Sequence, residues 1–113
     1  MRLNLFQIMS MRTMPEGHDG KYTAMAKSNY AMGLAGESGE LVDLMKKEVH
    51  HHHNPDVEAI KKECGDVLHY LAGIATMYGL TLEDIAMANI EKLNKRYPTG
   101  FSVEDSIKRV DVK

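Results

Sequence analysis

The sequence predicts an all-α protein, built as a bundle of four helices in one domain. The three prolines, Pro15, Pro55 and Pro98, all stand at breaks between segments whose apolar residues recur at helical spacing. No segment alternates apolar and polar residues with β-branched side chains over more than four positions, so no strand competes. A chain of 113 residues suits a single domain, which we expect to span residues 1–113.

The first half of the chain contains two predicted helices. Residues 3–14 form the first helix, and a turn cluster rich in Pro and Gly at 15–20 ends it. The second helix runs from about residue 22 to residue 49. The four consecutive histidines at 50–53 are predicted to form the loop after it. An exposed histidine loop of this kind binds transition metals weakly and without a fixed geometry.

The third helix has a predicted start signal at Asn54 and Pro55. Asn54 is the expected N-cap and Pro55 the expected first helical residue, while Asp56 and Glu58 complement the helix dipole in the first turn. We expect this helix to run to about residue 78 and to stop at Gly79.

The fourth helix begins at a capping box in which Asp replaces the usual Glu or Gln. Thr81 is the expected N-cap and Asp84 follows three residues later. The helix extends to about residue 97, where Pro98 and Gly100 end it. Residues 101–113 form a short polar tail, with one helical turn predicted around 103–109.

The composition is that of an ordinary globular protein. The net charge is −2, with 43% apolar and 27% charged residues, so the chain lacks the charge excess of disordered sequences. A basic footprint for nucleic acid is also absent, and we expect no nucleic-acid partner. Residues 67–80, the longest apolar-looking stretch, are too few and too interrupted to span a bilayer, so we expect no membrane partner.

The expected location is cytoplasmic. Asn4 and Gln7 interrupt the first apolar segment, which is unlike a secretory signal. Cys64 is the only cysteine, so no intrachain disulfide can form. Its neighbours Glu63 and Asp66 disfavour the thiolate form, which argues against a nucleophilic role.

Four carboxylates interrupt the apolar stripes of the second and third helices. In the second helix the stripe position at 37 is filled by Glu37, and Glu40 follows one turn later. In the third helix the stripe lacks its member at Glu63, and Asp66 follows one turn later. The stripes consist of Tyr30, Leu34, Leu41 and Leu44 in one helix and of Ile60, Val67, Leu71 and Ile74 in the other.

Carboxylates turned toward a bundle interior need a compensating cation. A set of hard oxygen donors suits Mg²⁺ or Mn²⁺ better than Zn²⁺. The alternative is that these acids are solvated and pair with lysines on the same helices, namely Lys46, Lys47, Lys61 and Lys62. Two matched pairs on consecutive, antiparallel helices favour the metal. A di-iron site is disfavoured because Glu48 to His51 is the one Glu-x-x-His pattern, and it lies at a helix end.

The fourth helix carries a polar and basic line beside its core stripe. Asn89, Lys92 and Arg96 follow Ile85 at helical spacing. A Lys and an Arg one turn apart, preceded by an amide donor, can bind phosphate oxygens. Taken alone, such a line is more often a solvated face. Beside an acidic metal site it becomes a candidate phosphate-binding line.

These motifs together resemble the MazG-like all-α nucleoside triphosphate pyrophosphohydrolases, in particular their compact, single-domain, phage-type branch. The resemblance rests on Glu37-Ser-Gly-Glu40, then Glu63-Cys-Gly-Asp66 after 22 intervening residues, then the segment from Asn89 to Arg96. It implies a helical fold that forms a homodimer or homotetramer. It also implies Mg²⁺-dependent cleavage between the α and β phosphates of a nucleoside triphosphate, giving monophosphate and pyrophosphate.

The resemblance also implies residue roles. The acids Glu37, Glu40, Glu63 and Asp66 would form the catalytic metal site, and one of the first pair would orient or deprotonate the attacking water. The resemblance further implies that Asn89, Lys92 and Arg96 bind phosphates, with assistance from Lys46 or Lys47. Tyr70 is a candidate for contact with the base.

Two positions depart from the family pattern. Gly36 stands where the MazG group proper has a second Glu, so its metal count does not transfer. His69 stands where many relatives have an aromatic residue, which would alter base recognition unless it is a packed core histidine. Alternatives to the main hypothesis are a phosphoribosyl-ATP type of pyrophosphohydrolase and a non-catalytic helical module that binds metal or nucleotide.

Overall fold

The computed structural model describes residues 1–14 and 22–112, and these two ranges are helical as predicted. The predicted turn cluster at 15–20 lies outside the described residues. The helices are α1 (Leu3–Ser10), α2 (Ala24–His51), α3 (Val57–Met77), α4 (Leu82–Arg96) and α5 (Val103–Lys108). Single 3₁₀ turns follow α1 and α5, at Met11–Thr13 and Val110–Val112. The all-α prediction is therefore confirmed, with α1 ending earlier than expected.

The two longest helices, α2 and α3, form an antiparallel pair that is the main packing unit of the fold. Ascending positions on α2 meet descending positions on α3: Tyr30 lies at Gly73, and Gly33 lies at Tyr70. At both glycines the helices approach so closely that an added Cβ would overlap the facing tyrosine ring. This register places the middle of α2 opposite the first half of α3.

Side-chain caps fix the starts of α2, α3, α4 and α5. The Thr23 hydroxyl accepts the Ala26 N–H at 3.1 Å, and the Thr81 hydroxyl accepts the Asp84 N–H at 3.1 Å. For α3 the predicted cap is wrong by two residues, because Asp56 and not Asn54 is the N-cap. The Asp56 carboxylate accepts the Ala59 N–H at 3.0 Å, which leaves Pro55 before the helix.

The predicted loop over the four histidines is also wrong in part. Helix α2 continues through His50 and His51, and His52 ends it in the left-handed conformation with φ of 59°. The His53 N–H then donates to the Lys47 carbonyl at 3.1 Å. Histidine side chains near the C-terminus of a helix can interact favourably with its last carbonyls and with the helix dipole. The extension of α2 through His50 and His51 is therefore compatible with the helix end.

Hydrogen bonds attach α1 to the turn between α3 and α4. The buried Gln7 amide donates to the Thr76 hydroxyl at 2.9 Å and to the Leu80 carbonyl at 3.0 Å. Its oxygen accepts the Leu82 N–H at 2.8 Å, so one side chain satisfies backbone groups at the start of α4. The core below it consists of Ala72, Ala75 and Leu82, with Phe6, Met11 and Leu68 against them.

Across the two described ranges, no helix combines the length and apolar character needed to cross a membrane.

Candidate metal centre

Three of the four predicted acids meet between α2 and α3. Carboxylate oxygens of Glu37, Glu63 and Asp66 all lie within 4.8 Å of one another. The antiparallel register brings them together, because Tyr30 lies at Gly73 and Gly33 lies at Tyr70, so that Glu37 one turn further along α2 lies opposite Asp66 near the middle of α3. Glu37 and Glu63 are partly buried, whereas Asp66 is exposed, so the cluster opens to solvent on one side.

Two oxygens of this cluster lack any hydrogen-bond donor. Within residues 1–14 and 22–112, the Oε2 atoms of Glu37 and Glu63 are buried and have no hydrogen-bond partner. Ionised carboxylates only accept hydrogen bonds, so two facing carboxylates cannot satisfy each other. Buried acceptors without donors are unfavourable, and a proton or a bound cation would satisfy them.

The fourth acid, Glu40, acts on the cluster from its exposed side. The pKa of Glu63 is raised to about 7, first because its protonated form donates a hydrogen bond to Glu37, then because burial disfavours the charge. A hydrogen bond to Glu40 and the charges of Glu40 and Glu37 raise it further. Glu40 therefore interacts electrostatically with the Glu37–Glu63 part of the cluster.

The donor set fits a hard divalent cation. The contributing groups are all carboxylates, which suits Mg²⁺ or Mn²⁺ and gives no soft or imidazole ligand for Zn²⁺. The ion pairs among the described residues include none of the four acids. The alternative that lysines neutralise them therefore finds no support in the geometry.

Lys46 is not brought to the acids. Its Nζ lies 3.5 Å from the Asp43 carboxylate, and Lys47 lies 2.9 Å from the same group. These interactions lower the pKa of Asp43, chiefly through the hydrogen bond from Lys47. Asp43 is not among the site residues that the sequence predicts, although its i,i+4 spacing to Lys47 is typical of an ion pair on a helix.

Tyr70 lies one helical turn after Asp66 and fills the space at Gly33, next to the acid cluster. Its ring contacts Tyr30 edge-on, with 5.3 Å between centroids, and His69 at 5.2 Å. His69 in turn is hydrogen-bonded through Nδ1 to the Ser10 hydroxyl. His69 therefore connects α1 to α3 as a packed histidine, while Tyr70 packs at Gly33 of α2, one turn before Glu37.

The residues of the candidate phosphate-binding line lie in two different environments. Asn89 and Lys92 are exposed and line a shallow cavity on α4 together with Ile85 and Ala88. Helix α4 packs only slightly against α3, so this part of the line is not packed onto the acid cluster.

Arg96, the last member of the line, is bound by a partner from the tail. Its Nε and Nη2 donate to the two carboxylate oxygens of Asp111, each at 2.6 Å. The Asp111 side chain is 1% exposed and that of Arg96 16%. The Arg96 hydrogen bond holds the pKa of Asp111 down at about 2. Nothing in the sequence predicted Asp111, because the pairing depends on how the tail folds back onto α4.

Comparisons with known proteins match the part of the chain that carries these residues. The family model described as the MazG nucleotide pyrophosphohydrolase domain matches residues 26–101, which include the four acids and the line on α4. The chain is 28% identical to the gene 37 protein of Mycobacterium phage L5 over 108 residues, or 88% of this chain and 92% of the relative. It is 50% identical to the uncharacterized protein YvdC of Bacillus subtilis (strain 168) over 36 residues, covering 32% and 34% of the two chains. No solved structure matches significantly.

Proposed function

The chain belongs to the MazG nucleotide pyrophosphohydrolase family, and we propose that it is a Mg²⁺-dependent nucleoside triphosphate pyrophosphohydrolase. The reaction adds water across the α–β phosphoanhydride, so that a nucleoside monophosphate and pyrophosphate leave. The observation that carries the proposal is the carboxylate cluster with two buried oxygens that lack donors. Such an arrangement is unfavourable unless a cation or proton is held there.

The acid cluster would divide the work of binding and proton transfer. Glu37, Glu63 and Asp66 would hold the divalent ion, with Glu40 from the exposed side. A bound Mg²⁺ shields the phosphate charge and lowers the pKa of a coordinated water. Glu37 or Glu40 would orient the attacking water and accept its proton.

The basic side chains of α4 would bind the phosphates. Asn89 and Lys92 are exposed for this role. Arg96 uses two of its five N–H donors on Asp111, which leaves the two of Nη1 and one of Nη2 for a phosphate. Tyr70 is the proposed base contact. Lys46 would first have to leave Asp43, a small penalty for an exposed pair.

We also propose that the protein works as a homodimer or homotetramer in the cytoplasm. Large apolar side chains remain exposed along α2, including Met25, Met32 and Val42. A second copy would cover them, and it would supply a further surface on the open side of the acid cluster.

The test is pyrophosphate release from a panel of ribo- and deoxyribonucleoside triphosphates and phosphoribosyl-ATP with Mg²⁺ or Mn²⁺, with orthophosphate followed in parallel. We expect metal-dependent pyrophosphate release from one or a few of the nucleoside triphosphates. Glu63→Gln and Asp66→Asn should lower kcat by about a hundredfold or more, because each removes a metal ligand. Glu58→Gln, which neutralises an exposed acid on the same helix, is the matched control and should keep full activity.

Each other outcome points to a different alternative. Full activity in Glu63→Gln and Asp66→Asn would refute the proposed site. Release of pyrophosphate from phosphoribosyl-ATP alone would move the assignment to that related reaction. Metal and nucleotide binding without turnover of any substrate would indicate a non-catalytic module.

A further inference from the structure

The turn between α2 and α3 presents four consecutive histidines on a backbone that the fold fixes. His50 and His51 belong to the last turn of α2, and His52 ends the helix in the left-handed conformation. The His53 N–H is bonded to the Lys47 carbonyl at 3.1 Å. The histidines are therefore held by the helix end, in contrast to the unconstrained loop that the sequence predicts.

Two of these imidazoles lie side by side. The ring centroids of His51 and His53 are 6.1 Å apart, and the planes are inclined by 53°. Because metal–nitrogen bonds to imidazole are about 2.0–2.1 Å long, two rings at neighbouring positions of one ion have centroids about 4.5 Å apart in square-planar geometry and about 5 Å apart in tetrahedral geometry. Small rotations of two exposed side chains would close the difference. The end of α2 also carries a negative partial charge, which favours a cation there.

We propose that His51 and His53 form a binding site for a borderline transition-metal cation, with Cu²⁺ bound more tightly than Ni²⁺ or Zn²⁺. Neutral imidazole is a ligand that these ions prefer, whereas Mg²⁺ prefers oxygen. In the described ranges the acid cluster is the one group of three candidate ligands within 4.8 Å. The histidine site therefore has two side-chain ligands, and water completes the coordination.

This site is separate from the acid cluster. His51 follows Glu37 by fourteen positions on α2, which corresponds to about 21 Å along the helix at 1.5 Å per residue. His53 lines a small cavity together with Glu48, Asp56 and Lys47, so two carboxylates and one ammonium group lie close to it. The inference does not depend on the proposed hydrolysis, since it concerns different ligands and a different class of metal.

The experiment is a Cu²⁺ titration of the full chain, purified without an added histidine tag and kept in excess Mg²⁺ so that the carboxylates are occupied. Electron paramagnetic resonance reports the number of coordinated nitrogens, which separates imidazole from carboxylate binding. The test variant is His51→Ala/His53→Ala. The matched control is His50→Ala/His52→Asn, which removes the same number of histidines, with Asn chosen because it tolerates the positive φ at 52.

We expect one Cu²⁺ with two nitrogen ligands in the wild type and in the control. The test variant should lose about a hundredfold in affinity, the lower range of the gain from linking two binding groups. Equal losses in both double variants would overturn the proposal, since histidine content and not the pair would then determine binding. A wild-type signal without nitrogen coordination would also overturn it. Circular dichroism of each variant confirms that α2 and α3 remain folded.

Discussion

At the level of single residues, Glu63 is the side chain whose charge is least compatible with its surroundings. It faces Glu37 across α2 and α3, and one oxygen of each is buried without a donor. Replacing Glu63 by Gln should therefore stabilise the metal-free protein, because an unfavourable charge is removed. The same replacement should reduce the stabilisation by bound metal, because a ligand is removed. The two effects have opposite signs and can be measured in one pair of experiments.

We expect Glu63→Gln to unfold at a higher temperature than the wild type in EDTA at pH 8, because its amide can donate to Glu37. In Mg²⁺ the wild type should gain stability and the variant should gain little. Thermal unfolding with and without Mg²⁺ measures both, with Glu58→Gln as the control that should follow the wild type. A variant less stable than the wild type in EDTA would show that the Glu63 carboxylate is not the unfavourable group.

Asp111 is the opposite case, a carboxylate whose charge the fold stabilises. Its pKa lies at about 2, below the 3.8 that is usual for an aspartate, first because Arg96 donates a hydrogen bond to it. Asp111 therefore binds a proton less readily in the folded protein than in the unfolded protein. The Arg96–Asp111 pair accordingly stabilises the fold fully above about pH 4. That contribution is lost as the pH falls through about 2.

We therefore expect Asp111→Asn to lower the unfolding temperature at pH 7 and to weaken the contact of the C-terminal tail with α4. The difference from the wild type should narrow below about pH 4 and vanish near pH 2. Thermal unfolding across pH measures this, and Asp105→Asn, a neighbouring tail acid, is the control. A constant difference down to pH 2 would mean that the residue acts through packing and not through its charge.

At the level of elements, the close approach of α2 and α3 positions the acids. Gly73 is buried, and an added Cβ there would overlap the ring of Tyr30, which is 3% exposed and cannot move aside. Gly65 on the same helix has open space at that position. Substitutions at these two glycines of α3 therefore separate the effect of close helix–helix packing from the effect of helix propensity.

Gly73→Ala should lower the free energy of unfolding by about 1–3 kcal/mol, because a well-packed contact is overfilled. Gly65→Ala should raise it by about 0.5–1 kcal/mol, because alanine is the better helix former and meets nothing. Denaturant unfolding without metal measures both values. Stabilisation by both substitutions would show that the helices do not approach each other at Gly73 as described.

The same elements show what a sequence can predict. The acids were found because a charge on an apolar stripe is visible from spacing alone, and the helix caps at Thr81 and near Asp56 are local signals. The sequence predicts a loop for the histidine run, and this is wrong in part because the end of a helix depends on which group satisfies its last carbonyls. The Arg96–Asp111 pair lay beyond prediction, since only the folded path of the tail brings the two residues together.

At the level of the whole molecule, a single chain exposes an unusually large surface to solvent. The accessible area is 8386 Å², against about 6,200 Å² expected for a compact monomer of this mass. The radius of gyration is 17.2 Å, against about 13 Å for a compact domain of this length. Many large apolar side chains are exposed, and Val42, Met45 and Val49 line a groove on α2 together with Lys46 and His50.

We expect the wild type to have a mass of twice or four times 12.7 kDa by light scattering at micromolar concentration, because covering such apolar surface favours association. Val42→Glu combined with Val49→Glu should shift it toward the monomer, since two charges would have to be buried in the contact. Val103→Glu, an equally exposed valine on α5, is the control. If pyrophosphate release falls with the mass, the open side of the acid cluster needs the second copy. A wild type that is monomeric throughout would refute the assembly and leave a single chain to form the site.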